Sequence, residues 1–241
     1  MPKVKVAPEK RAVKRSVSMH DVLNNKYKML DLDPEWRKYI GHPQENFKMI
    51  VYGESGGGKT TFVMRLCVAL TKLGKVYYNS AEEGEGATIQ AAAQRCNVKE
   101  LCAKGSFMLG DRDSFDDMVY KLSQKRSAPF VVLDSLQYME LKEAQFKQLV
   151  ELFKRKVFIV ISWSKGASPN GKVARAVEYM ADIKTYVSNG KAVSRSRFGP
   201  TEPYEIYPPR QVEVKKKGRP AKAKAAPEPE LFSEDGEAEE E

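Results

Sequence analysis

Apolar residues in this chain gather in short, nearly unbroken runs, separated by longer stretches where they recur every three or four positions. The runs at 47–52, 75–79, 106–109, 130–134 and 157–162 have the length of strands. Several show no polar alternation, as expected of strands buried on both faces. Between them, 62–70, 85–96, 114–125 and 142–154 carry helical spacing. Beyond them, 183–187, 191–195 and 204–207 read as closing strands, the first two joined by the turn Ser188-Asn189-Gly190. This alternation predicts an α/β domain over 47–211, with a mostly parallel central sheet and helices on both faces. Asp31-Leu32-Asp33-Pro34-Glu35-Trp36 predicts a small capped helix within a lead-in segment, 19–46. Residues 1–18 are charged and aperiodic, and from 212 onward Lys, Ala, Pro and Glu dominate. A flexible basic arm and a disordered tail are expected there.

With 241 residues and 41% hydrophobic content, the chain can bury one sizeable core. No apolar run approaches the ~20 residues that span a bilayer, and no signal-peptide pattern opens the chain, so a soluble, cytoplasmic protein is expected. The three cysteines (Cys67, Cys96, Cys102) are odd in number and unpaired in spacing, and there are two histidines. That argues against a structural zinc site or a disulfide framework. The net charge of +9 points to a polyanionic partner, with nucleic acid the foremost candidate. Lys3, Lys5, Lys10, Arg11, Lys14 and Arg15 make the first fifteen residues basic, whereas 228–241 is acidic.

The sharpest chemical signal is Gly53-Glu54-Ser55-Gly56-Gly57-Gly58-Lys59-Thr60, a glycine-rich turn closed by Lys-Thr between an expected strand and an expected helix. Glycine permits positive φ and close backbone approach, so successive N–H groups can face phosphates at a helix N-terminus. Lys59 would reach the β and γ phosphates of ATP, and the Thr60 hydroxyl would ligate Mg²⁺. Thr61 and Gln137 complete the candidate nucleotide contacts. Asp134 ends an apolar strand, where a carboxylate can hold the Mg²⁺ hydration shell; a turn or helix-cap aspartate is the alternative. Glu82 or Glu83, just past the strand at 75–79, could act as general base. Arg195 and Arg197, two apart on an expected strand, would point to one side and could reach the triphosphate of a neighbouring copy. A basic strand edge that discourages aggregation is the other reading.

In order along the chain, these blocks resemble the RecA-like ATPases, and more narrowly their RadA/Sms and DnaB-type branches. Tyr78-Asn79-Ser80-Ala81-Glu82-Glu83-Gly84 resembles the segment carrying the family's catalytic glutamate, which the match places at Glu82. Val131-Val132-Leu133-Asp134-Ser135-Leu136-Gln137 is similar to the Mg²⁺-associated strand, and 158–166 to the sensor strand and the start of a DNA-facing loop. Arg195-Ser196-Arg197-Phe198-Gly199-Pro200 resembles a motif that acts across subunit boundaries. Two positions depart from the pattern. Ser162 stands where the family usually has Gln or His, and Arg195 replaces the trans-acting Lys. The chain also lacks the additional domains of both branches. A bare motor core is expected, in the manner of the short recombination ATPases of phages and mobile elements.

The resemblance implies ATP and Mg²⁺ as cofactors, single-stranded DNA as partner, and a homo-oligomer, either ring or filament. Lys165, Lys172 and Arg175 lie in a basic stretch that reads as a flexible loop and would meet DNA phosphates. Trp163 reads as packing, with no aromatic platform for bases beside it. Lys215-Lys216-Lys217-Gly218-Arg219-Pro220-Ala221-Lys222 resembles an AT-hook, with a basic linker as the alternative, and the acidic C-terminal run could contact a protein partner. The expected function is a DNA-dependent ATPase in recombination, repair or replication. An ATP-switched regulator of the same fold and a replicative helicase motor are the alternatives.

Overall fold

The computed structural model describes residues 16–207. The basic arm at 1–15, the AT-hook-like segment and the acidic C-terminal run lie outside the described residues. The elements run α1 (Met19–Asn24), α2 (Pro34–Ile40), β1 (Lys48–Gly53), α3 (Lys59–Leu70), β2 (Val76–Ser80), α4 (Ala87–Arg95) and α5 (Val98–Leu101). They continue with β3 (Phe107–Asp111), α6 (Phe115–Ser123), β4 (Phe130–Asp134), α7 (Glu143–Leu152), β5 (Val157–Lys165) and β6 (Ser168–Pro169). The last are α8 (Lys172–Met180), β7 (Ile183–Ser188), β8 (Lys191–Ser196) and β9 (Tyr204–Glu205).

The sheet order is β3-β2-β4-β5-β1-β7-β8-β9, with β6 paired to the end of β5. From β3 to β7 every pairing is parallel, and β8 and β9 close the edge antiparallel. Alternation along each strand divides the core in two. Met49 and Val51, Phe130 and Val132, and Ile159 and Ile161 face one side. Ile50 and Tyr52, Val131 and Leu133, and Phe158 and Val160 face the other. Helices α3 and α4 cover the first side through residues such as Phe62, Leu66 and Ile89. Helices α6, α7 and α8 cover the second through Met118, Phe146 and Val177. This two-sided burial explains why the strand sequences show little polar alternation.

The expected small helix is α2, with Pro34 at its first turn and Asp33 accepting the Glu35 N–H at 3.0 Å. Its Trp36 ring stacks on Tyr204 at 5.2 Å, and Leu30, Leu32 and Ile40 join the core. The 188–190 turn is a hairpin turn with Asn189 at φ 50° and Gly190 at φ 73°, the left-handed pair that matches strand twist.

Two local expectations change. Residues 165–175, expected as a flexible loop, are ordered: β5 continues to Lys165, turns into β6, and α8 begins at Lys172. Ala174, Val177 and Ala181 supply a narrow apolar stripe for α8, too short and too alanine-rich to stand out among the basic residues. The short helices α1 and α5 add to the expected set, and neither buries a residue that would mark its period in the sequence.

Ile159 is fully buried on β5, with its neighbours paired to β1 and β4. Ile159→Ala is expected to lower the unfolding free energy by about 2–5 kcal/mol in urea denaturation. A loss below about 1 kcal/mol would show that the centre of the sheet can collapse around the cavity.

Candidate nucleotide site

Strand β1 is held on both sides, with Gly53 opposite Trp163 of β5 and Val187 of β7. The glycine loop therefore leaves a fixed point at the carboxyl edge of the sheet. A Cβ on Gly53 would lie 2.2 Å from the Val187 carbonyl oxygen, so only glycine fits this approach. Gly56 (φ 72°) and Gly58 (φ 104°) take the left-handed conformations that turn the chain into α3. No side chain caps α3. Among the described residues, the N–H groups of Gly56, Gly58, Lys59 and Thr60 donate to no protein acceptor. Unpaired donors at the N-terminus of a twelve-residue helix form a cradle suited to phosphate oxygens. Glu54 and Ser55 are exposed on the outer arm of the loop.

Lys59 is buried and donates to the Glu54 carbonyl at 2.8 Å, so it arches over its own loop. Burial lowers its pKa, against the opposing pull of the Asp134 and Glu82 carboxylates. Thr60 Oγ1 donates to Asp134 Oδ2 at 3.4 Å. Thr61 turns elsewhere: its hydroxyl lies 3.1 Å from the Tyr207 hydroxyl, beneath a ring that also packs on Gly58.

Asp134 closes β4 opposite Ser80, and Tyr78, fully buried on β2, donates its hydroxyl to Asp134 Oδ2. The Asp134 carboxyl is pushed up to about 6, chiefly by burial and further by Glu82 and Glu83; Tyr78 and Lys59 pull the other way. Just past β2, Glu82 accepts a hydrogen bond from Ser135 Oγ at 3.1 Å, and its N–H donates to the Asp134 carbonyl at 3.1 Å. Glu83 Oε2 is buried without a partner. A carboxylate cluster with an orphaned oxygen, facing a threonine hydroxyl and a lysine, suits a hydrated divalent cation and the phosphates it bridges.

Gln137 is engaged away from this cluster. Its amide donates to Ser162 Oγ at 2.8 Å and to the Asn170 carbonyl at 3.0 Å, and it accepts the Trp163 N–H at 3.2 Å. Arg195 and Arg197 lie at the opposite edge of the sheet. The register runs Gly53, Val187, Ala192 at one end and Met49, Ile183, Ser196 at the other. Arg197 falls beyond the end of β8, so the expected pair on a single strand face does not form. Its guanidinium reaches Asp182 at 3.4 Å. Lys165, Lys172 and Arg175 are all exposed, on the end of β5 and on α8, and among the described residues none is in an ion pair.

Three features of the site escape a reading of the sequence. Tyr78 and Tyr207 read as ordinary strand residues, and their partners Asp134 and Thr61 are far away in the chain. Trp163, expected as packing, is 36% exposed and meets the exposed Tyr138 ring edge-on at 5.4 Å. Nothing local distinguishes a buried tryptophan at a strand end from an exposed one.

No protein-family model matches the chain, and no curated protein matches it in sequence. Solved structures do match in shape. The flagellar accessory protein FlaH from Methanocaldococcus jannaschii aligns with a TM-score of 0.54 at 16% identity, covering 76% of this chain and 96% of its own. A KaiC-like protein from Pyrococcus horikoshii OT3 gives 0.53 at 15%, covering 74% and 94%. A solved ATPase domain of the DnaB type gives 0.52 at 15%, covering 77% and 90%. The chain therefore has the RecA-like fold, with a mostly parallel sheet between helical layers.

The buried carboxyl makes stability depend on pH in a defined direction. Asp134 sits near 6 in the folded chain against an ordinary 3.8, so the folded state holds this proton more tightly than the unfolded state does. The stability it brings is present in full below about pH 4 and is lost as pH rises through about 6. Without divalent cations, Asp134→Asn is expected to stabilise the chain by about 3 kcal/mol more at pH 7 than at pH 4, read by urea denaturation. An equal effect at both pH values would show that the carboxyl titrates normally.

Proposed function

We propose that this chain binds ATP with Mg²⁺, hydrolyses it, and works on single-stranded DNA as a homo-oligomer. The observation that carries the nucleotide reading is a convergence at one sheet edge. Unpaired loop N–H groups, Lys59, Thr60, Asp134 and Glu82 come together there from separate segments of the chain. The DnaB-type ATPase domain shares the fold, which supports hydrolysis as the outcome of binding.

In this reading the loop N–H groups and Lys59 hold the β and γ phosphates, with Lys59 exchanging the Glu54 carbonyl for phosphate oxygens. Thr60 and Asp134 would hold Mg²⁺, which supplies charge neutralisation between the phosphates when bound. Tyr78 keeps the Asp134 carboxylate in place through its buried hydroxyl. Glu82, steadied by Ser135, accepts the proton of the attacking water as general base.

Arg195 and Arg197 cannot serve their own site from the far edge of the sheet. That separation supports a role on the nucleotide of an adjoining copy, where a guanidinium would stabilise charge on the transferring phosphoryl. Exposed Lys165, Lys172 and Arg175 support contact with a nucleic-acid backbone, and the net charge of +9 favours the same partner.

Lys59→Ala is expected to abolish binding of a fluorescent ATP analogue. Glu82→Gln should retain binding while hydrolysis falls about 100- to 10,000-fold. Arg197→Ala should bind nucleotide yet lose turnover, and mixing it with Glu82→Gln should restore part of the rate through interfaces in which both groups are intact. If Arg197→Ala turns over normally in a dilute, monomeric sample, the arginine has no role across an interface. If single-stranded DNA leaves the wild-type rate unchanged and does not bind, the motor reading fails.

A further inference from the structure

Five consecutive residues of β5, Val157 to Ile161, are fully buried, and Ser162 after them is buried as well. Trp163 then breaks the pattern at 36% exposure, beside Tyr138 at 51%. Their ring centroids lie 5.4 Å apart at an interplanar angle of 80°, so the edge of one ring meets the face of the other. The contrast with the other tryptophan is informative. Trp36 is enclosed by Tyr39, Phe62 and Tyr204, with no comparable surface left open.

Neither ring is on a loose segment. Trp163 pairs with Gly53 in the β5–β1 ladder, and its carbonyl accepts the Asn170 N–H at 2.8 Å. Gln137, next to Tyr138, accepts the Trp163 N–H and donates to both Ser162 and Asn170. One amide thus ties the turn carrying Tyr138 to the hairpin carrying Trp163. Rigid aromatic faces with little rotamer entropy left to lose are well suited to flat ligands. Lys165, Lys172 and Arg175 lie on the same hairpin and the helix after it, exposed and free of ion pairs among the described residues.

We propose that Trp163 and Tyr138 form a stacking platform for the bases of a single-stranded nucleic acid whose phosphates are met by the neighbouring cations. The proposal rests on the reading of this sheet edge as a single-strand contact and adds base contact to it. Stacking requires bases that are unpaired and splayed, which excludes duplex as the ligand. No edge-reading constellation accompanies the rings among the described residues, so binding is expected to be indifferent to sequence.

The chain contains two tryptophans, and its intrinsic fluorescence can be followed during titration with strands of equal length. The strands are oligothymidylate, oligouridylate and an abasic oligodeoxynucleotide. Oligothymidylate is expected to quench the wild type but not Trp163→Ala. The variant should bind it about 5- to 150-fold more weakly, while the slope of log affinity against log salt stays unchanged. Trp163→Phe should recover part of the loss. The abasic strand should bind through phosphates without quenching, and Lys165→Ala should weaken it and reduce the salt slope by about 1. Equal quenching by oligouridylate would extend the platform to RNA, and its absence would restrict it to DNA. If Trp163→Ala binds oligothymidylate as tightly as wild type, or the abasic strand quenches equally, the platform is refuted and the single-strand reading stands. If no strand binds the wild type at all, both fall together.

Discussion

Strand β1 is hydrogen-bonded on both sides, to β5 and to β7, and the position of every candidate catalytic group follows from where it ends. A strand paired on both sides cannot slide by one residue without turning its whole apolar set from one core to the other. Gly53 is therefore fixed against the Val187 carbonyl, and the phosphate-type loop starts from a rigid base. The same ladder places Trp163 directly beside the loop, so the nucleotide edge and the aromatic pair share one ruler.

The site built on that base carries an electrostatic cost. Asp134 is almost wholly buried near Glu82 and an unpartnered Glu83 oxygen, and burial pushes its carboxyl up to about 6. Tyr78, itself held well above the ordinary tyrosine range by burial, donates its hydroxyl into this cluster. Lys59 balances part of the charge while remaining partly desolvated. Carboxylates gathered in low dielectric repel one another, and a divalent cation among them would relieve that repulsion. Local instability of this kind is what a binding site stores and a ligand releases.

The sheet also keeps two kinds of positive charge apart. Lys59 works at the carboxyl edge, whereas Arg195 and Arg197 sit at the amino edge, with Arg197 against Asp182. A parallel strand presents only one of its ends to a given site, so groups at the other end can act only on a different molecule. The oligomer in the proposed function follows from this geometry as much as from the resemblance in motif.

Local sequence was enough to determine the strands, the main helices, the 188–190 turn and the glycine loop with Lys59 and Thr60. Each of these is set by a periodicity or a backbone conformation that neighbouring residues alone dictate. It also put Asp134 at a strand end and Glu82 just past another, since both follow from the length of an apolar run. What the tertiary structure decided is which strand lies beside which. The order β2-β4-β5-β1 brings Tyr78 to Asp134 and Ser135 to Glu82, and it links Gln137 to Ser162 and Tyr138 to Trp163. Those pairs join residues from separate strand ends and turns, and hydrogen bonds between distant segments leave no periodic trace in either one. The exposure of Trp163 belongs to the same class, because a side chain at a strand end is buried or bare according to what the fold sets next to it.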